Sequence, residues 1–288
     1  MMLRRAQPWL GTLVEIAAAG APADELNAAI ACAFARIAEV QAALSFQDAA
    51  SELTRINCMA QRGWAALSPD AAAVLAAALE FARASDGLFD PSVGGLLVEC
   101  GRLPRHPGFP DHAITDWRAI ALDGNRVRYA RPLLIDLSGI AKGYAVDAAL
   151  AVLREAGLAA ATVNAGGDLA RFGEGAAPLS VRHPRQPTLT VQLAELRNGA
   201  AATSANYFQP GALRYPRSGE VLCAGASVTV LAADCMTADA LTKAVAADPA
   251  RAPGVLARFG AQAILLEGAR GQFGDAGGWR AFPVARAA

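Results

Sequence analysis

Apolar residues recur along the chain with two alternating periods, and the switches between them outline the elements. Leu13-Val14-Glu15-Ile16 reads as a first strand. From residue 23 to 44, Leu26, Ile30, Phe34, Ile37, Val40 and Leu44 fall at helical spacing behind Pro22 and Asp24, which predicts a helix packed by one face. Ser68-Pro69-Asp70 predicts a second, alanine-rich helix reaching Ala84, with serine as N-cap and proline at the first helical position. Residues 86–115 are dense in glycine and proline and read as a loop system, the kind of segment on which function often lives. Strands at Val127–Tyr129 and Leu133–Leu137 lead into a helix from about Ile140 to Ala156. Strands near 160–164, 179–182, 188–193, 225–231 and 262–266 follow, interrupted by one more helix at about 237–247. No repeat, linker or charge run divides the chain. The expectation is one α+β domain over residues 1–288, with mixed or antiparallel sheets flanked by helices.

Composition narrows the function classes. With 54% hydrophobic and 18% charged residues, the chain has the makings of a sizeable core. Lysine plus arginine and aspartate plus glutamate stand at 26 each, so no overall basic field attracts nucleic acid. The five cysteines are widely spaced and form no CxxC pair, which reads as reduced thiols. The N-terminal stretch has an arginine pair before apolar and small residues, but Pro8 and Glu15 interrupt it as a signal peptide. No apolar run reaches the roughly 18 residues of a bilayer span. No membrane span is expected, and a cytoplasmic location is the expectation, with the periplasm as the alternative.

Four segments carry candidate chemistry. In Asp136-Leu-Ser-Gly-Ile-Ala-Lys-Gly-Tyr-Ala-Val-Asp147, an apolar run delivers an acid into a glycine turn that opens a helix. Such a turn aims backbone N–H groups at whatever sits above it, a seat for phosphate with Lys142 as a point charge. An ordinary strand-to-helix connection with Asp136 as N-cap explains the pattern equally well. Val163-Asn-Ala-Gly-Gly-Asp168 lets the backbone approach a ligand through Gly166 and Gly167, or simply makes a tight hairpin. Ala202-Thr-Ser-Ala-Asn-Tyr207 offers hydroxyls at Thr203 and Ser204, to phosphate or merely to a loop. On the later helix, Asp239 shares a face with Thr242 and Lys243, three and four residues on. A carboxylate and a hydroxyl there are hard donors suited to Mg²⁺, whereas an Asp–Lys pair is the plainer reading.

In this order, LGT near the start, LFDPSVGG, DLSGIAKGYAVD, VNAGGDLARFG, ATSANYF and SVTV…ADALTKAV resemble the FAD:protein FMN transferase family, also called ApbE, from about Leu10 to about Leu266. The resemblance implies an ApbE-like, T-fold-like architecture. It also implies a magnesium-dependent enzyme that cleaves the FAD pyrophosphate, passes FMN to a Ser or Thr hydroxyl of an acceptor flavoprotein and releases AMP. It puts FAD contacts at Leu10, Phe46, Leu88, Phe89, Asp90, Asp136 and Lys142. It puts the metal on the Gly139 carbonyl and on side chains of the later helix, beginning with Asp239.

The chain departs from that pattern twice. The family commonly has threonine four residues after the metal aspartate, where this chain has Lys243; Thr242, one residue earlier, is the expected metal ligand in its place, and Lys243 at the metal site alternatively places its ammonium where a second cation would sit. The family's His-x-x-Asp-Pro-x-x-Gly segment appears as Ala212-Leu-Arg-Tyr-Pro-Arg-Ser-Gly219, so the usual candidate base is absent and Tyr215 replaces aspartate. Arg214 is new there and is expected to meet phosphate charge directly. Asp239, Lys142 and Arg214 are therefore the candidate catalytic residues. A metal-dependent FAD pyrophosphatase and a catalytically impaired FAD-binding protein are the competing readings.

Overall fold

The structure is a computed structural model that describes residues 1–183, 186–205, 213–222, 226–267 and 279–282. The chain opens with a hairpin, β1 (Met2–Trp9) and β2 (Thr12–Ala19), followed by helices α1 (Ala23–Leu44) and α2 (Glu52–Met59). Then come a two-residue strand β3 (Ala65–Ala66), α3 (Pro69–Ala84), a short α4 (Gly94–Glu99) and the small strands β4 (Ile120–Asp123) and β5 (Arg126–Tyr129). Helix α5 (Ala141–Glu155) leads to β6 (Ala160–Ala165), β7 (Asp168–Gly173), β8 (Ala177–His183), β9 (Gln186–Leu196) and β10 (Gly199–Ala205). The last part holds β11 (Ala226–Ala232), α6 (Cys235–Ala247), α7 (Ala252–Arg258), β12 (Gln262–Glu267) and β13 (Trp279–Phe282).

Eight strands form one antiparallel sheet in the order β1-β2-β6-β7-β10-β11-β12-β13, and β3, β5 and β4 form a smaller one. Alternation decides which face of the large sheet turns inward. Val14, Ile16 and Ala18 on β2 are buried and lie opposite Ala165, Val163 and Ala161 on β6. Onto that face pack α1 through Leu26, Ile30, Phe34 and Ile37, and α5 through Val146, Leu150 and Leu153. Each fully buried Leu or Ile there contributes about 1.5–3 kcal/mol relative to exposure. A second apolar cluster joins α2, α3 and α6 to β5 and to the strap Leu133–Leu137. By length and composition α1 matches a bilayer span, yet eight of its residues are buried within the protein.

Several sequence expectations change here. Leu133–Leu137 is no strand: its backbone makes one parallel bridge, Leu134 with Val93, and otherwise runs as a strap across the core. Its four apolar positions serve burial rather than a ladder, since Leu133, Leu134, Ile135 and Leu137 are all within 2% exposure, and Asp136 between them is at 5%. The loop system at 86–115 contains α4, and α2, α7, β1, β3, β4, β7, β10 and β13 are elements the sequence pattern did not predict. The strand expected first, at Leu13–Ile16, is β2, which begins at Thr12 with Glu15 half-buried on the outer face.

The strap is anchored by Asn57 of α2, which is fully buried. Its Nδ2 donates to the Ile135 carbonyl at 2.8 Å, and its Oδ1 accepts from Ile135 N at 2.8 Å and from the Tyr129 hydroxyl at 3.0 Å. Every polar atom of the side chain is therefore committed. Asn57→Ala strands three buried partners, and about 3 kcal/mol of stability should be lost, read as a lower urea midpoint at unchanged m-value. A midpoint equal to wild type would show that the strap does not depend on Asn57.

Candidate active site

Two hairpin tips stand side by side at one end of the large sheet. Leu10 and Gly11 make the β1–β2 turn with φ of 56° and 70°, and the Leu10 N–H donates to Gln41 Oε1 of α1 at 2.6 Å. A leucine in the left-handed region is strained, and such strain persists only where the surroundings hold it. Gly166 and Gly167 make the β6–β7 turn with φ of 66° and 107°, closed by Asn164 Oδ1 accepting from Gly167 N at 3.0 Å. The tight-hairpin reading of the VNAGGD segment is thus correct. It also brings the backbone close to a neighbour, since a methyl on Gly166 would stand 2.4 Å from Thr12 Oγ1.

The Asp136–Gly139 turn arrives beside these tips at the start of α5. Asp136 does not cap the helix. It folds back on its own turn, Oδ1 accepting from Ser138 N at 3.1 Å and Oδ2 from the Ser138 hydroxyl at 2.6 Å. Burial raises its carboxyl above the usual range, with the Ser138 contacts opposing. Its own N–H donates to Pro91 O at 2.8 Å, which ties the turn to the Asp90-Pro91-Ser92 segment. There Asp90 Oδ1 accepts from Ser92 N at 2.8 Å and Ser92 Oγ at 2.6 Å, and burial raises this carboxyl as well.

The first turn of α5 abuts the first turns of α6. Asp147 of α5 accepts from the N–H groups of Cys235 and Met236 at 2.9 and 2.8 Å, while Asp234 caps α6 through Thr237 N at 2.7 Å. Burial pushes the Asp147 carboxyl up to about 7 in spite of those bonds. With α6 held this way, Asp239 is fully buried against α5, its Oδ2 accepting from Gly143 N at 3.1 Å. The carboxylate of a neighbouring helix therefore takes this N–H, which the sequence pattern reserved for phosphate.

Two lysine–aspartate pairs fill the crevice. Lys142 Nζ lies 2.6 Å from Asp168 Oδ2, and Asp168 is 2% exposed. Burial pulls the Lys142 ammonium down, but Asp168 and Asp239 outweigh it and hold the ammonium charged. Lys243 Nζ pairs with Asp239 Oδ1 and also donates to the Asp239 carbonyl at 3.0 Å. Thr242 is buried beneath, its hydroxyl donating to the Asp239 carbonyl at 2.7 Å and sharing a 2.7 Å contact with Ser204 Oγ. Thr203 Oγ1 meets Thr229 Oγ1 at 2.9 Å on the next strand. The plainer Asp–Lys reading of this helix face is the one the structure shows, and Thr242, expected as a metal ligand, bonds Asp239 O and Ser204 Oγ instead.

These parts border one cavity of about 800 Å³, at the upper end of the usual range for small-molecule sites. Leu10, Phe46, Leu88, Phe89, Asp90, Asp136, Gly139, Lys142, Gly166, Thr203, Ser204, Arg214 and Lys243 all line it. Asp239 and Thr242 are buried behind that lining, and Gly167 is not part of it. Phe46 is braced from outside the cavity, where His106 Nε2 donates to its carbonyl at 2.8 Å and Phe109 meets its ring edge-on at 5.5 Å between centroids. Arg214 sits on a turn closed by the Tyr215 N–H to Glu220 O bond of 2.8 Å. It donates to Gly219 O at 2.7 Å, and its buried Nε has no hydrogen-bond partner among the described residues. Ala212 lies outside the described residues, and among those described no histidine lines the cavity.

Sequence reasoning gave no role to Asp168, Asp147, Ser138 or Asn57. The first three lie inside or at the ends of the quoted segments, so the signal was present as an acid or hydroxyl beside a glycine turn. Asn57 offered none, because its helix went unread.

Fold and site together define an α+β protein whose antiparallel sheet and crossing helices enclose a cleft that is apolar on one wall and cationic on another. Within that class the chain belongs to the ApbE family, whose sequence model matches residues 10–265. It is 30% identical to a FAD:protein FMN transferase of Rhodobacter capsulatus over 88% of this chain and 53% of that protein. A FAD:protein FMN transferase of Vibrio cholerae is 31% identical over 70% of this chain and 68% of that protein. The chain thus spans about half the length of the first relative and about two thirds of the second. The ApbE crystal structure from Thermotoga maritima superposes with a TM-score of 0.80 at 26% identity, covering 92% of this chain and 94% of that one. The flavin transferase ApbE of Vibrio cholerae shares the fold, with a TM-score of 0.80 at 24% identity over 99% and 97% of the two chains.

Proposed function

We propose that this chain is a FAD:protein FMN transferase, which binds FAD and moves its FMN half onto a Ser or Thr hydroxyl of an acceptor flavoprotein, releasing AMP. One observation supports this above all: residues from six segments scattered between Leu10 and Lys243 converge on a single cavity of about 800 Å³. A flavin ring needs the apolar wall supplied by Phe46, Leu88 and Phe89. A pyrophosphate needs the cationic one supplied by Lys142, Lys243 and Arg214. The names of the relatives at 30% and 31% identity support the same reading.

In the proposed reaction the acceptor Oγ forms a bond to the FMN phosphorus. The bond from that phosphorus to the bridging oxygen breaks, and AMP leaves with the electron pair. The lysines and Arg214 meet the charge that spreads over the phosphoryl oxygens, so positioning and electrostatics carry most of the rate. Asp136 is the cavity carboxylate beside this cationic group, close enough to feel the Lys243 charge, and its raised pKa suits it to take the acceptor proton.

The resemblance brings Mg²⁺ with it, on the Gly139 carbonyl, Asp239 and Thr242. The residues present do not fit that ion. Asp239 is fully buried with Oδ1 taken by the Lys243 ammonium and Oδ2 by Gly143 N. The Thr242 hydroxyl is already engaged on two sides. Among the described residues no group of three His, Cys, Asp or Glu side chains is placed to hold a metal. Magnesium demands near-octahedral oxygen ligation, and an ammonium standing on its first carboxylate opposes it. No step of the proposed reaction is therefore routed through a metal.

If the cavity takes the whole dinucleotide, FAD should bind about tenfold or more tightly than FMN, because FMN gives up the pyrophosphate bridge and the adenosine half. Fluorescence titration of the flavin with the purified chain checks this. Equal or stronger affinity for FMN would remove the pyrophosphate from the proposal.

A further inference from the structure

We infer that this chain carries its own cation at the pyrophosphate: the Lys243 ammonium, aided by Lys142, does there what a divalent metal would do, and the site excludes that metal. The inference rests on the cavity being a FAD site, and it deepens that reading. Asp239 and Lys243 are four residues apart on α6, so their side chains meet on one helix face. The ammonium contacts Asp239 twice, at Oδ1 and at the main-chain carbonyl. A lysine has three N–H donors, so one remains. The Lys243 side chain is 22% exposed and lines the cavity, so that donor is available to a ligand.

Charge balance points the same way. Asp168 and Asp239 are both buried, and Lys142 and Lys243 neutralise them pair by pair. A divalent cation seated on Asp239 would face two ammonium groups in a desolvated crevice, where like charges repel strongly. It would also have to break the Lys243 contacts and draw Thr242 Oγ1 away from Ser204. The lysine stem runs beside Gly139: a methyl added there would rest in ordinary contact, 3.4 Å from Lys243 Cε. The fixed ammonium thus holds the position between the Gly139 turn and Asp239.

The test is a binding experiment on the full chain. Mn²⁺ is titrated and its free electron paramagnetic resonance signal followed, without flavin and then with saturating FAD, against FAD alone. FAD affinity is measured in parallel with EDTA and with excess Mg²⁺. Wild type should leave the Mn²⁺ signal as in the protein-free control, and its FAD affinity should differ by less than about twofold between EDTA and Mg²⁺. Lys243→Thr should gain a Mn²⁺ site, lose about tenfold in FAD affinity in EDTA and recover it with Mg²⁺. A wild-type chain that takes up one Mn²⁺, or whose FAD affinity falls tenfold in EDTA, overturns the inference. So does a folded Lys243→Thr that binds no Mn²⁺. Should that variant fail to fold, the wild-type titrations decide alone. The Mn²⁺ titration without flavin needs neither FAD nor an acceptor. A chain that binds no FAD, yet gives these Mn²⁺ results, loses the transferase reading but still excludes the metal.

Discussion

Gly143→Ala should be among the most damaging methyl additions this chain can receive. The new Cβ would stand 2.3 Å from the Cys235 carbonyl oxygen, 2.7 Å from its carbon and 2.9 Å from Asp239 Cβ. Two of those atoms are backbone at the start of α6, so no rotamer change relieves the overlap. The two helices must separate, and with them go the Asp147 bonds to the α6 N-terminus and the Gly143 bond to Asp239. A loss of about 3 kcal/mol or more is expected, roughly 10 °C in Tm for a chain of this size. Flavin affinity should fall with it, because the same shift displaces Lys142 and Lys243. Gly254→Ala is the control, since it sits in α7 with nothing within 4 Å of the added methyl. It should be neutral or slightly stabilising. Equal melting temperatures for the two variants would show that the α5–α6 crossing is not as tight as described.

Lys142→Met should remove function and stability together, and a second substitution should separate them. The variant leaves the Asp168 carboxyl buried beside Asp239 with its ion-pair partner gone. Breaking a buried pair from one side costs about 3–5 kcal/mol. Because the Lys142 side chain is 33% exposed, the lower end of that range applies. It also takes one positive charge from the cationic wall of the cavity, for which about 100-fold or more in transfer rate is the expected loss. Lys142→Met/Asp168→Asn removes the stranded carboxyl group. It should regain most of the Tm while the rate stays low. Recovery of the rate along with the stability would make Lys142 a structural residue only.

The sequence revealed helices better than strands, for physical reasons visible at particular residues. In α3 the Ser68 cap and the 3.6-residue periodicity agree, in α1 the periodicity runs unbroken behind Pro22, and both helices begin and end at the expected residues. The strap Leu133–Leu137 misled because continuous burial produces an apolar run with or without a ladder, and only tertiary context distinguishes the two. Strand β1 went unread because it is the edge of the sheet and mostly exposed, so it carries little alternation. Helix α2 is eight residues long and mixed in polarity, too short to set a period.

The site was legible as a list and not as a geometry. The segments that carry it, from Leu10 to Lys243, all border the cavity, because glycine turns and small polar residues cluster where a backbone approaches a ligand. Partnership could not be read in the same way. Lys142 with Asp168 joins a helix to a strand, and Gly143 with Asp239 is a contact across 96 positions. Lys243 was recognisable from spacing as a neighbour of Asp239. Whether it pairs with the carboxylate or leaves it to a cation depends on burial, which the composition of one helix does not reveal.

The most direct measurement follows both halves of FAD at once. The purified chain is incubated with FAD and with an acceptor flavoprotein domain bearing a Ser or Thr at its flavin attachment site. The acceptor is analysed by intact mass and the small molecules by chromatography. The prediction is an acceptor mass increase equal to FMN less water, AMP released in equal amount, and no labelling of an acceptor whose hydroxyl residue is replaced by alanine. FAD recovered intact, or split to free FMN and AMP with the acceptor unlabelled, would contradict the transferase proposal.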